Sequence, residues 1–504
     1  MDPIRVRFAP SPTGALHIGG IRTALYNYLL AKKYNGQFIL RIEDTDQGRY
    51  VPGAETYIIE SLRWCGLIPD EGVNFGGAHG PYRQSDRKAL YRQYAELLLA
   101  NGKAYYAFDT AEELDALRAQ DNTFKYDPYT RLRLKNSLTL SPEEVSARIQ
   151  SGAPYVIRLL VPQGELIKIQ DKVRGEVIFQ SDELDDKVML KAEGMPTYHL
   201  ANVVDDHLMQ ITHVIRGEEW LPSTAHHVLL YRAFGWEDTM PEFAHLPLIL
   251  KPDGKGKLSK RDGARLGIPV FPLSWQANAP EDAFTGFREF GFLPQALLNF
   301  LAFLGWNPGT EQEIFTMEEL IQAFSVEKIG KSGARFDFEK AKWFNQQYIL
   351  AADNVTLSKA VRPIIEAQGH FPEESFLQEF CGLMKERVTL LPEFWEKGYF
   401  FFEAVRNYDD KNVQKRWNPE VKARFEHLHA ALESGEWSLE TIKASTEQFM
   451  QDHSLKPGDV FPLLRIALAG TMQGPAVFEM MAILGKTDTL QRLQQAFDRF
   501  DTFL

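Results

Sequence analysis

Apolar positions in the first 110 residues follow two alternating rhythms. Short runs at 4–8 (IRVRF) and 38–42 (FILRI) read as buried strands. Between them, IRTALYNYLLAKK at 21–33 carries apolar residues at helical spacing, and 57–65 and 88–99 read as further helices. Strand–helix–strand order with apolar strands implies a parallel sheet of the doubly wound kind. From 110 to 190 the texture differs: a helical opening (AEELDALRAQ) precedes β-rich segments at 155–160 and 177–179. Alternation resumes over 198–204 and 212–216, a helix follows at 223–234, and a loop at 251–265 closes this half. The pattern predicts an α/β fold split by an α+β insertion. Beyond about 335, amphipathic periodicity over 357–367, 376–391, 419–432, 439–452 and 490–500 predicts an all-α C-terminal half.

Length and composition narrow the class. A chain of 504 residues is long enough for three or more domains. Two cysteines, Cys65 and Cys381, stand far apart without metal-ligand spacing. They point to a reducing compartment rather than a disulfide scaffold. No apolar run approaches the ~18 residues of a membrane span, and no leader precedes the first strand, so a cytoplasmic protein is expected. The net charge of −12 does not by itself favour nucleic acid, so an RNA partner must meet local basic surface. The basic cluster at 411–424 reads as a solvated helix face.

Candidate chemistry gathers at two places. FAPSPTGALHIGG at 8–20 follows the first strand directly, setting Ser11, Thr13 and His17 among prolines and glycines. A strand passing into a helix through small residues presents backbone N–H groups to an anion such as phosphate, and His17 adds a donor. KLSKR at 257–261 offers Lys257 and Lys260 on a segment flanked by Gly254, Gly256 and Gly263, flexible enough to close over a triphosphate.

These two stretches, in order with RIEDTD at 41–46, GPYRQSDR at 80–87, PTYHLANVVDDHLM at 196–209 and HVIRGEEW at 213–220, closely resemble bacterial glutamyl-tRNA synthetases. HIGG and KLSKR are similar to the two signatures of class I aminoacyl-tRNA synthetases. The resemblance is strong over the N-terminal half and weaker at 340–349 and 460–470. It implies a Rossmann-type parallel-sheet catalytic domain at 1–109 and 191–265, split by an acceptor-end-binding insertion at 110–190. A stem-contact linker at 266–335 and a helical anticodon-binding region at 336–504 would follow. The implied activity is a monomeric ligase that joins L-glutamate to tRNA-Glu, using ATP with Mg2+, through glutamyl-adenylate to the terminal 2′-hydroxyl.

The resemblance assigns catalysis to Thr13, His17, Lys257 and Lys260, with Gly19, Gly20, Glu219 and Ser259 also at the nucleotide. A glutamate pocket would comprise Arg7, Ala9, Ser11, Glu43, Tyr198, Asn202 and Arg216. Arginine forks at 7 and 216 suit two carboxylates, Ser11 and Glu43 suit the ammonium, and Tyr198 and Asn202 share a face if their segment is helical. His199, His207 and His213 read as structural. Arg387 is placed where the family reads the third anticodon base; its alternative role is to cover an apolar stripe and pair with Glu386 or Glu393. Two departures stand out. Gly20 replaces a second histidine common in class I enzymes, which shifts charge stabilisation onto backbone amides and the lysines. Residues 100–135 hold no cysteine, so no zinc is expected. Arg216 and the helical C-terminus argue against a glutaminyl enzyme, the 170 or so residues after 335 against a shorter nucleoside-modifying paralogue, and the intact His17, Lys257 and Lys260 set against an inactive RNA-binding protein. Whether tRNA-Gln is also charged stays open.

Overall fold

The computed structural model describes residues 3–276 and 283–504. Part of the span read as a linker, 277–282, lies outside the described residues. The chain divides into two compact units, Met1–Glu289 with Pro294–Ala341, and Phe290–Leu293 with Lys342–Leu504.

A seven-stranded sheet organises the first unit. Its strands stand in the order Glu71–Gly72, Gln37–Leu40, Arg5–Phe8, His213–Gly217, Glu242–Leu246, Leu166–Asp171 and Gly175–Gln180. Every neighbouring pair is parallel except the last, a hairpin. Arg5–Phe8, an interior strand third in that order, is buried along its whole length, as a strand covered on both faces must be. The helix Ile18–Lys33 packs across it through Ile21, Leu25 and Leu29. Period-two alternation is explicit in Leu166–Asp171, where Ile167, Ile169 and Asp171 point inward and Leu166, Lys168 and Gln170 outward. That parity carries an acid into the core. Within 110–190, the hairpin thus joins the large sheet. The other strands there, with Ala104–Ala107, form a separate antiparallel sheet around a small core of Tyr105, Ala107, Leu114 and Tyr126.

The structure defines two segments further than their sequence reading. Residues 198–204 belong to a helix, Tyr198–Leu208. The span 251–265 is only partly loop: Ser259 caps a helix at Lys260–Leu266, Asp262 reaching back to the Ser259 N–H at 2.9 Å in a capping box.

Helices dominate the second unit, around a core that includes Phe380, Trp417, Leu464 and Phe497. The helix expected to run through 391 stops at Met384, and a short 3-10 turn, Lys385–Arg387, follows. Pro392 disfavours helical geometry just before it, and Glu393 takes the Thr389 N–H at 2.7 Å into a local turn.

Candidate active site

A cavity of about 830 Å³ opens over the C-terminal ends of the central strands, where open α/β sheets bind ligands. Its lining includes every candidate named from the sequence in the first unit: Arg7, Ala9, Ser11, Thr13, His17, Gly19, Gly20, Glu43, Tyr198, Asn202, Arg216, Glu219, Lys257, Ser259 and Lys260. Arg7 and Lys260, 253 positions apart in sequence, therefore meet at one place.

On one side stands the turn into the helix Ile18–Lys33. His17 caps that helix, its Nδ1 accepting the Gly19 N–H at 3.1 Å. The ring proton must then sit on Nε2, which is buried and has no partner among the described residues. Burial and the charges of Lys260 and Lys257 hold the imidazole neutral, its pKa pulled down to about 3. The neighbouring amides are not free, contrary to the expectation for a bare helix terminus. Ile18 N–H donates to Val270 O at 3.0 Å, Gly19 N–H to His17, and Gly20 N–H to His17 O at 2.8 Å. His17 Nε2 and the ammonium of Lys260 are side-chain donors of this wall left without an acceptor among the described residues. A side chain at Gly20 would meet the Leu16 side chain, which would have to move to admit it.

The two lysines differ. Lys257 Nζ pairs with Glu219 Oε1 at 2.7 Å, both half-exposed. Lys260 has no carboxylate partner among the described residues, and burial lowers its pKa. Ser259 spends its hydroxyl on Asp262 at 2.5 Å as part of the helix cap.

The opposite wall is a charge network. Arg41, completely buried, bonds Asp206 at 2.7 Å, Glu43 at 2.9 Å and Asn202 at 3.1 Å. Arg7 meets Asp206 through Nε at 3.1 Å and Asn202 through Nη2 at 3.2 Å, so its fork is largely occupied by the protein. Its Nη1 has no partner among the described residues. Arg87 bonds Asp205 at 2.8 Å. Ionised, Glu43, Asp205 and Asp206 offset Arg7, Arg41 and Arg87, three against three.

Arg216 stands outside that balance. It is 5% exposed, and its partners are all neutral: His245 Nε2 at 3.1 Å, Tyr198 Oη at 2.7 Å and Thr224 Oγ1 at 2.8 Å. No carboxylate among the described residues lies within ion-pair distance of it. Burial presses its pKa down from the usual arginine value. A buried guanidinium without a counter-charge is costly, so Arg216 is left with a positive charge for a ligand to answer.

Tyr198 and Asn202 share a helix face, and Asp206, one turn further, completes it. That spacing signalled Asp206 in the sequence; nothing local signalled His245, Thr224 or the pairing of Arg41. His199 packs against the rings of His226 and His227, His207 stacks on Trp236 at 3.7 Å, and His213 sits 3.1 Å from Glu242. None of the three lines the cavity. Arg387 belongs to the second unit. Its Nη1 donates to Leu383 O at 3.1 Å, and it lies 3.9 Å from Glu386, while Glu393 bonds Thr389 and Lys397 instead.

Comparison with known proteins agrees with this geometry. Residues 3–343 match the family model for the catalytic domain of class I tRNA synthetases (E and Q), and 356–497 match an anticodon-binding domain. The chain is 53% identical over 502 residues to a glutamate–tRNA ligase of Amoebophilus asiaticus, covering 98% of each, and 52% identical to one of Cytophaga hutchinsonii, covering 98% of this chain and 97% of that one. Among solved structures, a glutamate tRNA ligase from Elizabethkingia meningosepticum in complex with its amino acid superposes with a TM-score of 0.94 at 48% identity, covering 99% of each chain.

Proposed function

The chain belongs to the glutamate–tRNA ligase family of class I tRNA synthetases, and we propose on that premise that its cavity activates L-glutamate with ATP and passes it to tRNA-Glu. The observation that carries the choice of amino acid is Arg216, a buried cation whose protein partners are all neutral. Beside the paired charges of Arg7, Arg41 and Asp206, it calls for an anionic side chain; an amide would leave it unpaired. Arg7 turns Nη1 to the α-carboxylate, and Ser11 and Glu43 receive the ammonium. Tyr198, whose hydroxyl accepts from Arg216, keeps its own proton for the substrate.

Activation is in-line attack of the α-carboxylate on the α-phosphorus of ATP: one P–O bond forms and the bond to pyrophosphate breaks. Mg2+ enters as part of the nucleotide substrate. The chain orients the reactants and stabilises charge growing on the phosphates. His17 supplies a neutral Nε2–H, Lys260 a free ammonium, and Lys257 an ammonium shared with Glu219; Thr13, Gly19, Gly20 and Ser259 shape the nucleotide wall and Ala9 the amino-acid side. The 2′-hydroxyl of the terminal adenosine then attacks the glutamyl carbonyl and AMP leaves. In this reading Arg387 meets the third anticodon base, the span 110–190 takes the acceptor end, and 266–335 meets the stem. The enzyme works as a cytoplasmic monomer without zinc. Purified tRNA-Glu and tRNA-Gln, each offered glutamate and glutamine in parallel, test the reading. Charging of tRNA-Glu with glutamate is expected, and failure of that reaction alone overturns it.

A further inference from the structure

Behind Arg216, away from the cavity, lies a buried chain of polar groups that the reaction as described does not use. Arg216 and His245 are register partners on adjacent parallel strands, so their side chains emerge side by side. Asp171 is in register with Phe243, two residues before His245 and therefore on the same face. The three line up: Asp171 Oδ2 lies 2.6 Å from His245 Nδ1, and His245 Nε2 lies 3.1 Å from Arg216 Nε. Both His245 and Asp171 are shut off from solvent.

The proton positions follow from the partners. Burial opposes the charge on Asp171, yet hydrogen bonds from His245 and from the Arg174 and Val173 amides outweigh it and keep the carboxyl ionised. Burial keeps His245 neutral although Asp171 pulls the other way. A neutral imidazole beside a carboxylate carries its proton on Nδ1, leaving the Nε2 lone pair for Arg216. Thr224, 3.2 Å from the same nitrogen and 2.8 Å from Arg216 Nη2, braces the other side of the guanidinium. Of the five guanidinium N–H groups, three are held by His245, Tyr198 and Thr224. The remaining two meet only long contacts, 3.5 Å to His227 Nδ1 and 3.4 Å to Trp220 O. Those two are the ones a ligand can claim.

We propose that His245 is a positioning residue for the choice of glutamate: its Nε2 lone pair, aimed at Arg216 because Asp171 holds the proton on Nδ1, fixes the guanidinium without neutralising it. Were Asp171 to touch Arg216 directly, the ion pair would be complete within the protein and a glutamine amide would meet no unpaired charge. The imidazole keeps the acid one ring away. Orientation is supplied and the charge is kept for the substrate carboxylate.

Asp171→Asn tests this with almost no change in shape. Oδ1 of Asp171 accepts three backbone N–H groups, from Val173 at 2.9 Å, Arg174 at 2.8 Å and His245 at 3.3 Å. In the variant the amide oxygen must take that side, so its NH2 faces His245 Nδ1. The imidazole then carries its proton on Nε2, pointing at the Arg216 Nε–H, donor against donor, the same inversion of a buried histidine tautomer that an Asp-to-Asn exchange produces in a catalytic triad. The inference rests on the glutamate-activating reading above, and aminoacylation of tRNA-Glu is the assay. Expected is a rise in KM for glutamate of about 10- to 100-fold, as for loss of a buried bond to a charged group. The preference for glutamate over glutamine should shrink, with KM for ATP and for tRNA unchanged. A glutamate KM and preference equal to wild type would overturn the role of His245 and leave the function standing. Parallel changes in all three KM values would make the chain of groups merely structural and overturn it too. Should the variant fail to fold, Thr224→Val, which removes only the second brace, decides by the same readout: a selective rise in glutamate KM supports the proposal and none refutes it. If wild-type protein does not charge tRNA-Glu with glutamate, the reading of the site itself falls, a result no variant can produce.

Discussion

The ammonium of Lys260 lies 3.2 Å from the point a Cβ on Gly14 would occupy, at a glycine whose φ is +135°. The phosphate turn thus has room for Lys260 because position 14 has no side chain and holds a backbone geometry that L-residues avoid. Gly14→Ala is expected to slow glutamyl-adenylate formation, and to slow it much less in a Lys260→Ala background, since both changes remove the same approach. Lys260→Ala alone should cost about 2.7–4 kcal/mol in the activation barrier, more than it weakens ATP binding. Pyrophosphate exchange in the presence of tRNA measures both, and a near-wild-type rate in the lysine variant would remove Lys260 from the chemistry.

Arg7 and Arg216 separate by their partners. With Asp206 already at its Nε, Arg7→Ala leaves that buried carboxylate to Arg41 and Asn202 alone, and is expected to lower stability as well as activity. Arg216→Ala leaves no stranded anion. It should weaken glutamate use by ~1.5–3 kcal/mol in kcat/KM and narrow the gap to glutamine while the fold holds. The ratio of the two amino acids' kcat/KM, set beside thermal melting of each variant, checks the contrast. A ratio unmoved by Arg216→Ala would return that residue to the scaffold.

Stability should fall on mild acidification. His17 and His199 have pKa values near 3 in the fold, lowered first by burial, against ~6.5 when unfolded. Between those values only the unfolded chain takes up the protons. The contribution is therefore fully present above pH ~6.5 and is lost progressively below it. At pH 5.5 each group costs about 1.4 kcal/mol, or roughly 3 kcal/mol for the pair. His226, His227 and His245 shift in the same direction. Urea midpoints at pH 7.5 and 5.5 give the comparison, and equal midpoints would contradict the buried neutral state.

For Arg387, a guanidinium fork suits cytosine's O2 and N3 acceptors and opposes the donors on guanine's Watson–Crick edge. Arg387→Gln should relax discrimination between tRNA-Glu and tRNA-Gln by ~1–3 kcal/mol, by analogy with a bidentate base contact. Among the described residues its fork meets Leu383 O and, at longer range, Glu386, which leaves it free enough for that role. Charging efficiencies for the two tRNAs, before and after substitution, decide it; an unchanged ratio assigns the base to another residue.

Much of the site was legible because its residues sit in short ordered segments. The turn at 8–20 and KLSKR at 257–261 announce phosphate chemistry locally, and all fifteen first-unit candidates line one cavity. What stayed hidden was which charge answers which. Arg7 and Arg216 looked alike as strand arginines, and only the arrival of Asp206 beside Arg7, 199 positions away in the chain, tells them apart. Which amides of the first helix are already taken was hidden for a similar reason. Val270, 252 positions from Ile18, takes one of them, and His17 folds back onto two more. Helix ends were the other loss: the stop at Met384 reflects a turn built by Glu393 and Pro392, downstream of any periodicity.

The interior position of Arg5–Phe8 has a consequence for synthesis on the ribosome. Its neighbour on one side, Gln37–Leu40, follows at once, but the Arg5 amide bonds Thr212, 207 residues later. At ~5–20 residues per second, that edge of the sheet waits about 10–40 s for its partner. Through that interval the nascent chain carries an open, apolar strand edge, the kind of surface that recruits a chaperone or pairs with the wrong strand.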